Sequence, residues 1–335
     1  MFWRSRAVEA LRGGALASQI AIPAAMRDIL PWSRVLRPTS IQNHVGGEEP
    51  AVAARSANML GDRLGDPQSG YSMRAAPLLA AIAMIFMLAA RPAGAGPALL
   101  FDPADGRVLY GEDIDDQWHP ASLTKMMTAY LVFEAVEQGR LKLDQNVLCS
   151  EAAFAQPPSK VGLPVGNGLT VEKALQALII KSANDVAVML AEAVDGTEGA
   201  FVVRMNATAR RLGMTRTHFV NTNGLPDPGQ VTTARDLAKL SRAVVGEYSQ
   251  YASYWSMPEM YLGRRRLGSH NALLRTYPGA DGLKTGFTCD SGFNVVASAS
   301  RDGRRLMAVV LGETSGNERA IRAASLLEHG FQTYG

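Results

Sequence analysis

Three stretches near the C-terminal end constrain the fold of this chain more than any other feature. Residues 282–288, 294–300 and 306–312 are short apolar runs, separated by the polar turns 289–292 and 301–305. Runs of that length and spacing read as adjacent antiparallel strands. Two more short apolar runs, 98–101 and 107–110, open the folded body, with Asp105-Gly106 between them as a turn pair suited to positive φ. Between these groups of strands the apolar period becomes helical. It predicts a helix from Ser122 to Gly139, one from Thr170 to a break at Ser182-Ala183-Asn184, and others over 185–194, 201–212, 234–245 and 319–329. In the first, Met126, Met127, Tyr130, Leu131, Phe133 and Val136 cover more than one stripe, so that helix is expected to be buried on most sides. The loop 221–233, rich in Gly, Pro and Asn, is too long to be idle. Strands at both ends with helices between them imply an α+β domain whose sheet is assembled from the two ends of the chain.

Composition narrows the rest. The formal charge of +3 is unevenly placed: residues 1–95 carry ten Arg, no Lys and six acids, whereas residues 96–335 carry 24 bases and 25 acids. A near-neutral body gives no support for nucleic-acid binding. The start of the chain reads as three parts. Residues 1–72 lack sustained periodicity and are expected to be a mis-assigned or disordered extension. Met73-Arg74, the 16-residue apolar run 75–90 and the small residues Ala93 and Ala95 describe a secretory signal over 73–95, cleaved after Ala95. The run is short for a membrane span, which needs about 20 residues; an uncleaved anchor is the alternative. A signal at residue 73 implies that Met73 is the biological start, the alternative being a cytoplasmic tail ahead of an anchor. The catalytic domain is then 96–335.

The chemistry lies in three short motifs. Ser122 and Lys125 stand three residues apart at the start of a helical run, a spacing that puts the amine in reach of the hydroxyl. A plain serine N-cap also explains Ser122. Ser182-Ala183-Asn184 falls where two helices meet, and an ordinary helix break explains it as well. Lys284-Thr285-Gly286 lies inside an apolar strand, where a snorkelling edge lysine is the plainer account. All three in this order are hard to obtain by chance. A serine is a weak nucleophile and needs a base within hydrogen-bond reach. Lys125 serves only when neutral, so burial or a neighbouring cation such as Lys284 has to lower its pKa. Ser182 can relay a proton to a leaving amine, and Asn184 can hold a substrate amide and orient Lys125.

With its flanking residues, this pattern resembles the serine-type D-alanyl-D-alanine carboxypeptidases, the low-molecular-mass penicillin-binding proteins. Residues 120–129 match the nucleophile segment, Asn223-Gly224-Leu225 and Thr233-Ala234-Arg235-Asp236 the central loop and following helix, and residues 281–288 the active-site strand. The resemblance implies the penicillin-binding-protein/β-lactamase-like transpeptidase fold: a five-stranded antiparallel sheet with packed helices, and a helical lobe that supplies Ser182. It implies that Ser122 attacks the carbonyl between the two terminal D-alanines of a peptidoglycan stem peptide. The backbone N–H groups of Ser122 and Phe287 would hold the oxyanion, with Gly286 beside them. Lys284 and Thr285 would lie near the substrate carboxylate. Alignment alone assigns that carboxylate to Arg319; an exposed base at a helix start is the alternative. β-Lactam antibiotics are the expected covalent inhibitors, with no cofactor and no metal.

The sequence also departs from the family pattern. Ala183 stands where glycine is frequent, and His270 where some relatives carry arginine, which puts one substrate contact in doubt. Many relatives continue into a β-rich domain and an amphipathic anchoring helix. Neither is expected before Gly335, so the mature enzyme is expected to be soluble in the periplasmic or extracytoplasmic space, touching membrane only if the leader is uncleaved. Cys149 and Cys289 show no metal or CxxC spacing; two buried thiols are expected, with one disulfide as the alternative. His44, His119, His218, His270 and His329 are scattered without ligand spacing. A class A β-lactamase needs a glutamate-held water, and the nearest imitation of its motif, starting at Glu259, lacks the asparagine. A D,D-endopeptidase would use the same site, and a silent cell-wall-binding module would be expected to lose Ser122, Lys125 or Lys284.

Overall fold

The computed structural model describes residues 96–334. The expected extension 1–72 and signal segment 73–95 lie outside the described residues. The sheet has five antiparallel strands in the order β2-β1-β9-β8-β7. Strands β1 (Ala98–Phe101) and β2 (Val108–Glu112) come from the start of the body, and β7 (Ala280–Thr288), β8 (Gly292–Arg301) and β9 (Arg304–Glu313) from its end. They join through β1 and β9, where Ala98 stands opposite Val310 and Phe101 opposite Met307. The two-ended sheet expected from the apolar runs is therefore present. The first turn forms as its Asp-Gly pair predicts: Gly106 takes φ +80 and the Asp102 N–H donates to the Arg107 carbonyl at 2.9 Å. The second strand starts one residue later than expected and runs two residues further.

The first helix, α1 (Lys125–Glu137), is the axis of the core. Every residue from Lys125 to Phe133 is buried, which is why its apolar residues form no single stripe. Phe133 stacks on Tyr251 with centroids 4.4 Å apart, and Tyr130 meets Tyr248 edge-on at 5.0 Å. Such pairs add stability beyond the area they bury. Helix α9 (Gly316–Tyr334) covers one face of the sheet, its Leu327 fully buried and Gly330 closely approached by Leu100 and Leu306.

The helical lobe follows α1. It contains the small ribbon of β3 (Asn146–Leu148) and β4 (Gly168–Thr170), then α2 (Glu151–Ala155), α3 (Val171–Gln176), α4 (Asn184–Asp195) and α5 (Glu198–Arg211). Thr170 caps α3 by accepting from the Lys173 N–H, and Thr197 caps α5 by accepting from the Ala200 N–H. Helix α6 (Ala234–Glu247) starts on a Thr233 cap. Short α7 (Ala252–Ser256), the hairpin of β5 (Glu259–Leu262) and β6 (Arg265–Gly268), and α8 (Leu273–Thr276) lead back to the sheet. The ribbons were not legible as strands, because three or four residues give too little alternation to stand out. Among the described residues no helix is long and apolar enough to cross a membrane, and no group of three His, Cys, Asp or Glu is placed to hold a metal.

Two expectations need correction. Ser122 is not on the α-helix: Ala121–Thr124 form a 3-10 turn and the α-helix begins at Lys125. Side chains three apart eclipse in a 3-10 turn, so the spacing brings the hydroxyl and amine together more directly than an α-helix does. Both cysteines are free, and Cys289 is exposed while Cys149 is buried; the disulfide alternative falls, as does the burial expected of Cys289. Cys289 sits in the polar turn between β7 and β8, which has no layer above it. In an Ellman titration of the native protein one thiol should therefore react rapidly, and the second only on unfolding; two fast thiols would contradict the burial of Cys149.

Candidate active site

Three elements meet at Ser122. The 3-10 turn presents its hydroxyl, the α3–α4 junction presents Ser182 and Asn184, and edge strand β7 presents Lys284, Thr285 and Gly286. The turn is pinned from behind by Asn294 of β8, whose side-chain amide donates to the His119 carbonyl at 3.0 Å and the Pro120 carbonyl at 3.3 Å. Ala121 takes φ +48, an uncommon conformation for a residue with a Cβ. Two glycines permit it. A Cβ on Gly224 would lie 1.8 Å from the Ala121 carbonyl oxygen and 2.9 Å from the Ser122 nitrogen, and one on Gly286 would lie 3.0 Å from that nitrogen. The peptide joining Ala121 to Ser122 is thus held between the central loop and the strand, at points where no side chain fits. The Ser122 N–H lies where Gly224 and Gly286 come closest to the turn.

The junction has its own local cause. After α3 the backbone winds as a π-helix over Ala177–Lys181, then breaks at Ser182, which takes φ +60 and ψ +39. Wide π turns and left-handed non-glycine residues concentrate at functional sites. The next helix starts at Asn184, whose amide nitrogen donates to the Pro157 carbonyl at 2.9 Å, so its oxygen points the other way, to Lys125. Behind it, buried Asp185 accepts from the N–H groups of Val161 and Gly162.

Lys125 is completely buried and within hydrogen-bond distance of three oxygens. They are Asn184 Oδ1 at 2.7 Å, the Asn223 carbonyl at 2.6 Å and Ser122 Oγ at 2.9 Å. No carboxylate touches it. Burial holds its pKa well below the ordinary lysine range, and the charge of Lys284 pushes the same way, against a weaker pull from Asp185. The neutral amine has two N–H bonds and one lone pair. The oxygens of Asn184 and Asn223 can only accept, so they take the two N–H bonds. The lone pair is left for Ser122, whose O–H donates to Lys125 Nζ. In this arrangement the Ser122 hydroxyl has an amine acceptor within hydrogen-bond reach, which is what a serine needs to act as a nucleophile.

Lys284, also buried, donates to Ser182 Oγ and to the Thr285 carbonyl, each at 2.9 Å. Burial, and then the charge of Arg319, lower its pKa to about 7. Arg319 is itself 8% exposed, which excludes the surface-base alternative. It lies over the Phe293 ring with 5.8 Å to the centroid and donates to the Asn294 and His270 carbonyls at 3.4 and 3.3 Å. No ion pair forms with it among the described residues, and burial alone lowers its pKa to about 10. Lys125, Lys284 and Arg319 therefore form a run of buried bases lacking a carboxylate partner. His270 has its pKa lowered by burial and then by the charges of Lys284, Lys181 and Arg319. The Phe287 side chain is half-exposed and packs on Phe293 at 4.2 Å, so only its backbone faces the strand edge.

The profile of the D-alanyl-D-alanine carboxypeptidase family, peptidase family S11, matches residues 87–315. The chain belongs to this family. It is 34% identical to D-alanyl-D-alanine carboxypeptidase DacF of Bacillus subtilis, over 71% of this chain and 62% of that protein. It is 37% identical to DacD of Salmonella typhimurium, over 82% of this chain and 73% of that protein. The chain thus spans about three fifths of the length of DacF. Among solved structures, penicillin-binding protein D2 of Listeria monocytogenes in its ampicillin-bound form superposes with a TM-score of 0.63. It shows 32% identity, covering 71% of this chain and 97% of that one. The fold expected from the resemblance is the fold observed.

All nine residues singled out from the sequence fall on the three converging elements or, for Arg319, directly behind them. Sequence reasoning missed what carries no side-chain signal, above all the Asn223 carbonyl on Lys125. It also missed Asn294, although a lone asparagine inside a buried apolar strand was a usable sign. Gly224→Ala should lower stability by at least about 2 kcal/mol, through φ strain and the clash with Ala121, and abolish the reactivity of Ser122 with a penicillin probe; thermal melts and gel labelling read both. Lys284 binds fewer protons folded than unfolded between pH about 7 and 10.5. Stability should therefore rise with pH across that window, by at most about 1.4 kcal/mol per unit from this group. Lys284→Met should flatten the slope in urea titrations.

Proposed function

We propose that this protein is a serine-type D-alanyl-D-alanine carboxypeptidase. It removes the terminal D-alanine from peptidoglycan stem pentapeptides through an acyl-enzyme on Ser122. The observation that carries the reading is the lone pair of a buried, neutral Lys125 aimed at the Ser122 hydroxyl at 2.9 Å. Lys125 Nζ takes the hydroxyl proton as Ser122 Oγ bonds to the carbonyl carbon between the two D-alanines. The negative oxygen that forms is received by the Ser122 N–H and, by family resemblance, the Phe287 N–H; fixed donors at that point are worth most in the transition state. The carbon–nitrogen bond then breaks. The proton passes to the leaving amine by way of Ser182, which bridges towards Lys284. Lys125 Nζ, neutral again, then takes a proton from water as the water oxygen bonds to the acyl carbon. The bond from that carbon to Ser122 Oγ breaks, the proton returns to Ser122 Oγ, and the shortened peptide leaves with a new carboxylate.

The substrate differs from an internal peptide by its terminal carboxylate. Thr285, Lys284 and the buried Arg319 supply the positive end of the cleft, and Asn184 lies beside the substrate amide. A β-lactam offers the same carboxylate and carbonyl, so it acylates Ser122 as a covalent inhibitor. Glu259, the nearest imitation of a water-holding glutamate, is instead bonded to Arg266 on the β5–β6 hairpin at 2.7 Å. That argues against rapid release of the penicilloyl group and hence against a β-lactamase. Export by the 73–95 segment would put the enzyme in the periplasmic or extracytoplasmic space, where its substrate is.

The test is digestion of purified muropeptides beside a fluorescent-penicillin gel. Wild type should release free D-alanine from pentapeptides and label stably. Ser122→Ala should do neither, and Lys125→Ala should lose at least about a hundredfold in acylation rate. Conversion of cross-linked dimers to monomers without free D-alanine would make it an endopeptidase instead. The acylation rate should climb with pH as Lys125 loses its proton, and that climb should be complete well below the ordinary lysine range.

A further inference from the structure

The lone pair of Lys125 is aimed by two carbonyl oxygens, and one of them belongs to a loop. The Asn223 carbonyl accepts at 2.6 Å, the shortest of the three contacts that the amine makes. Three features hold that carbonyl in place. Gly224, the next residue, packs on the Ala121–Ser122 peptide. On the other side is Thr222, fully buried. Its carbonyl accepts from Thr128 Oγ1 of α1 at 2.6 Å. Its own N–H and hydroxyl both donate to one carboxylate oxygen, Glu198 Oε1, at 3.1 and 2.7 Å.

Glu198 is the first residue of α5 and touches neither Ser122 nor any of the three motifs. Its carboxylate forms no ion pair among the described residues. It is spent on Thr222 alone. Two hydrogen bonds to one accepting oxygen tether a loop that otherwise carries glycine and proline. If Thr222 shifts, the Asn223 Cα shifts with it, because one rigid peptide joins them, and the Asn223 carbonyl, which lies in the following peptide with the Gly224 N–H, is carried off Lys125. Lys125 would then keep only one fixed acceptor, and its lone pair would no longer have a single direction.

We propose that Glu198 is a positioning residue for the acylation step: by holding Thr222 it fixes the Asn223 carbonyl that aims the lone pair of Lys125 at Ser122. The inference rests on the reading of Lys125 as the base. What matters is the accepting oxygen, not the charge. Glutamine at this position retains an oxygen able to accept both bonds, while alanine retains nothing.

The measurement is the second-order rate of acylation by a fluorescent penicillin as a function of pH, for the full chain. Glu198→Ala should lower the plateau about tenfold, the scale of losing one oriented hydrogen bond. It should also move the acid limb to lower pH, because an ammonium with a less firmly held acceptor is easier to deprotonate. Glu198→Gln should restore plateau and limb to within about twofold of wild type. Thr222→Val, which removes only the hydroxyl, should fall between the two and serves if Glu198→Ala does not fold. A Glu198→Ala protein with the wild-type plateau and limb overturns the proposal. So does a Glu198→Gln protein as slow as Glu198→Ala, which would make the charge the cause. A lower melting temperature with an unchanged rate per folded molecule overturns it too. If wild type itself is not acylated, the reading of Ser122 and Lys125 fails first, and the role of Glu198 falls with it; the variants overturn the proposal alone only where wild type reacts.

Discussion

An amine buried without a carboxylate is the condition around which this structure is built. A lysine taken out of water costs stability unless it sheds its proton or finds an anion. Among the described residues Lys125 has no anion in contact, and its pKa falls well below the ordinary lysine range. A neutral amine then needs two acceptors for its N–H bonds, or those are lost as well. The Asn184 side chain and the Asn223 carbonyl meet that need, one from the start of a helix and the other from a loop. Each is brought there by a distortion the chain would otherwise avoid: a π turn and a left-handed serine before Asn184, and a glycine pressed against a peptide after Asn223.

The three buried bases are coupled in series. Arg319 depresses Lys284, and Lys284 in turn depresses Lys125, with burial the larger cause at each lysine. Such a run is unstable in isolation and favourable towards an anion that enters it. On the proposed function, selectivity for a peptide that ends in a carboxylate and reactivity of the serine would rest on one set of charges. The aromatic pair Phe287–Phe293 supports this arrangement by offering a ring face to Arg319 in place of a counter-ion.

Much of this was readable from residues alone. The strands at both ends, the buried α1 and the three motifs have periodicity or side-chain identity to betray them. The site residues were legible because catalysis needs particular functional groups at particular spacings. What escaped was backbone. The 3-10 turn under Ser122 differs from an α-helix by half a residue per turn, too little to alter an apolar pattern. The Asn223 carbonyl is a group every residue possesses, so no letter in the sequence marks it. The Glu198–Thr222 contact joins residues on separate elements, which only the folded chain places together. The free state of Cys289 depended on where a turn lay relative to the layers, and not on spacing.

The pairing of β1 with β9 has a consequence for biogenesis. Ala98 meets Glu112 of β2 locally, but its other partner, Val310 of β9, lies more than two hundred residues on, so the pair that joins the two halves of the sheet cannot form until nearly the whole domain has left the ribosome. Folds closed by such distant contacts assemble slowly. A chain that stays open until its last strand arrives keeps its apolar strands exposed for longer, and so has more need of a chaperone than a helical bundle of the same length.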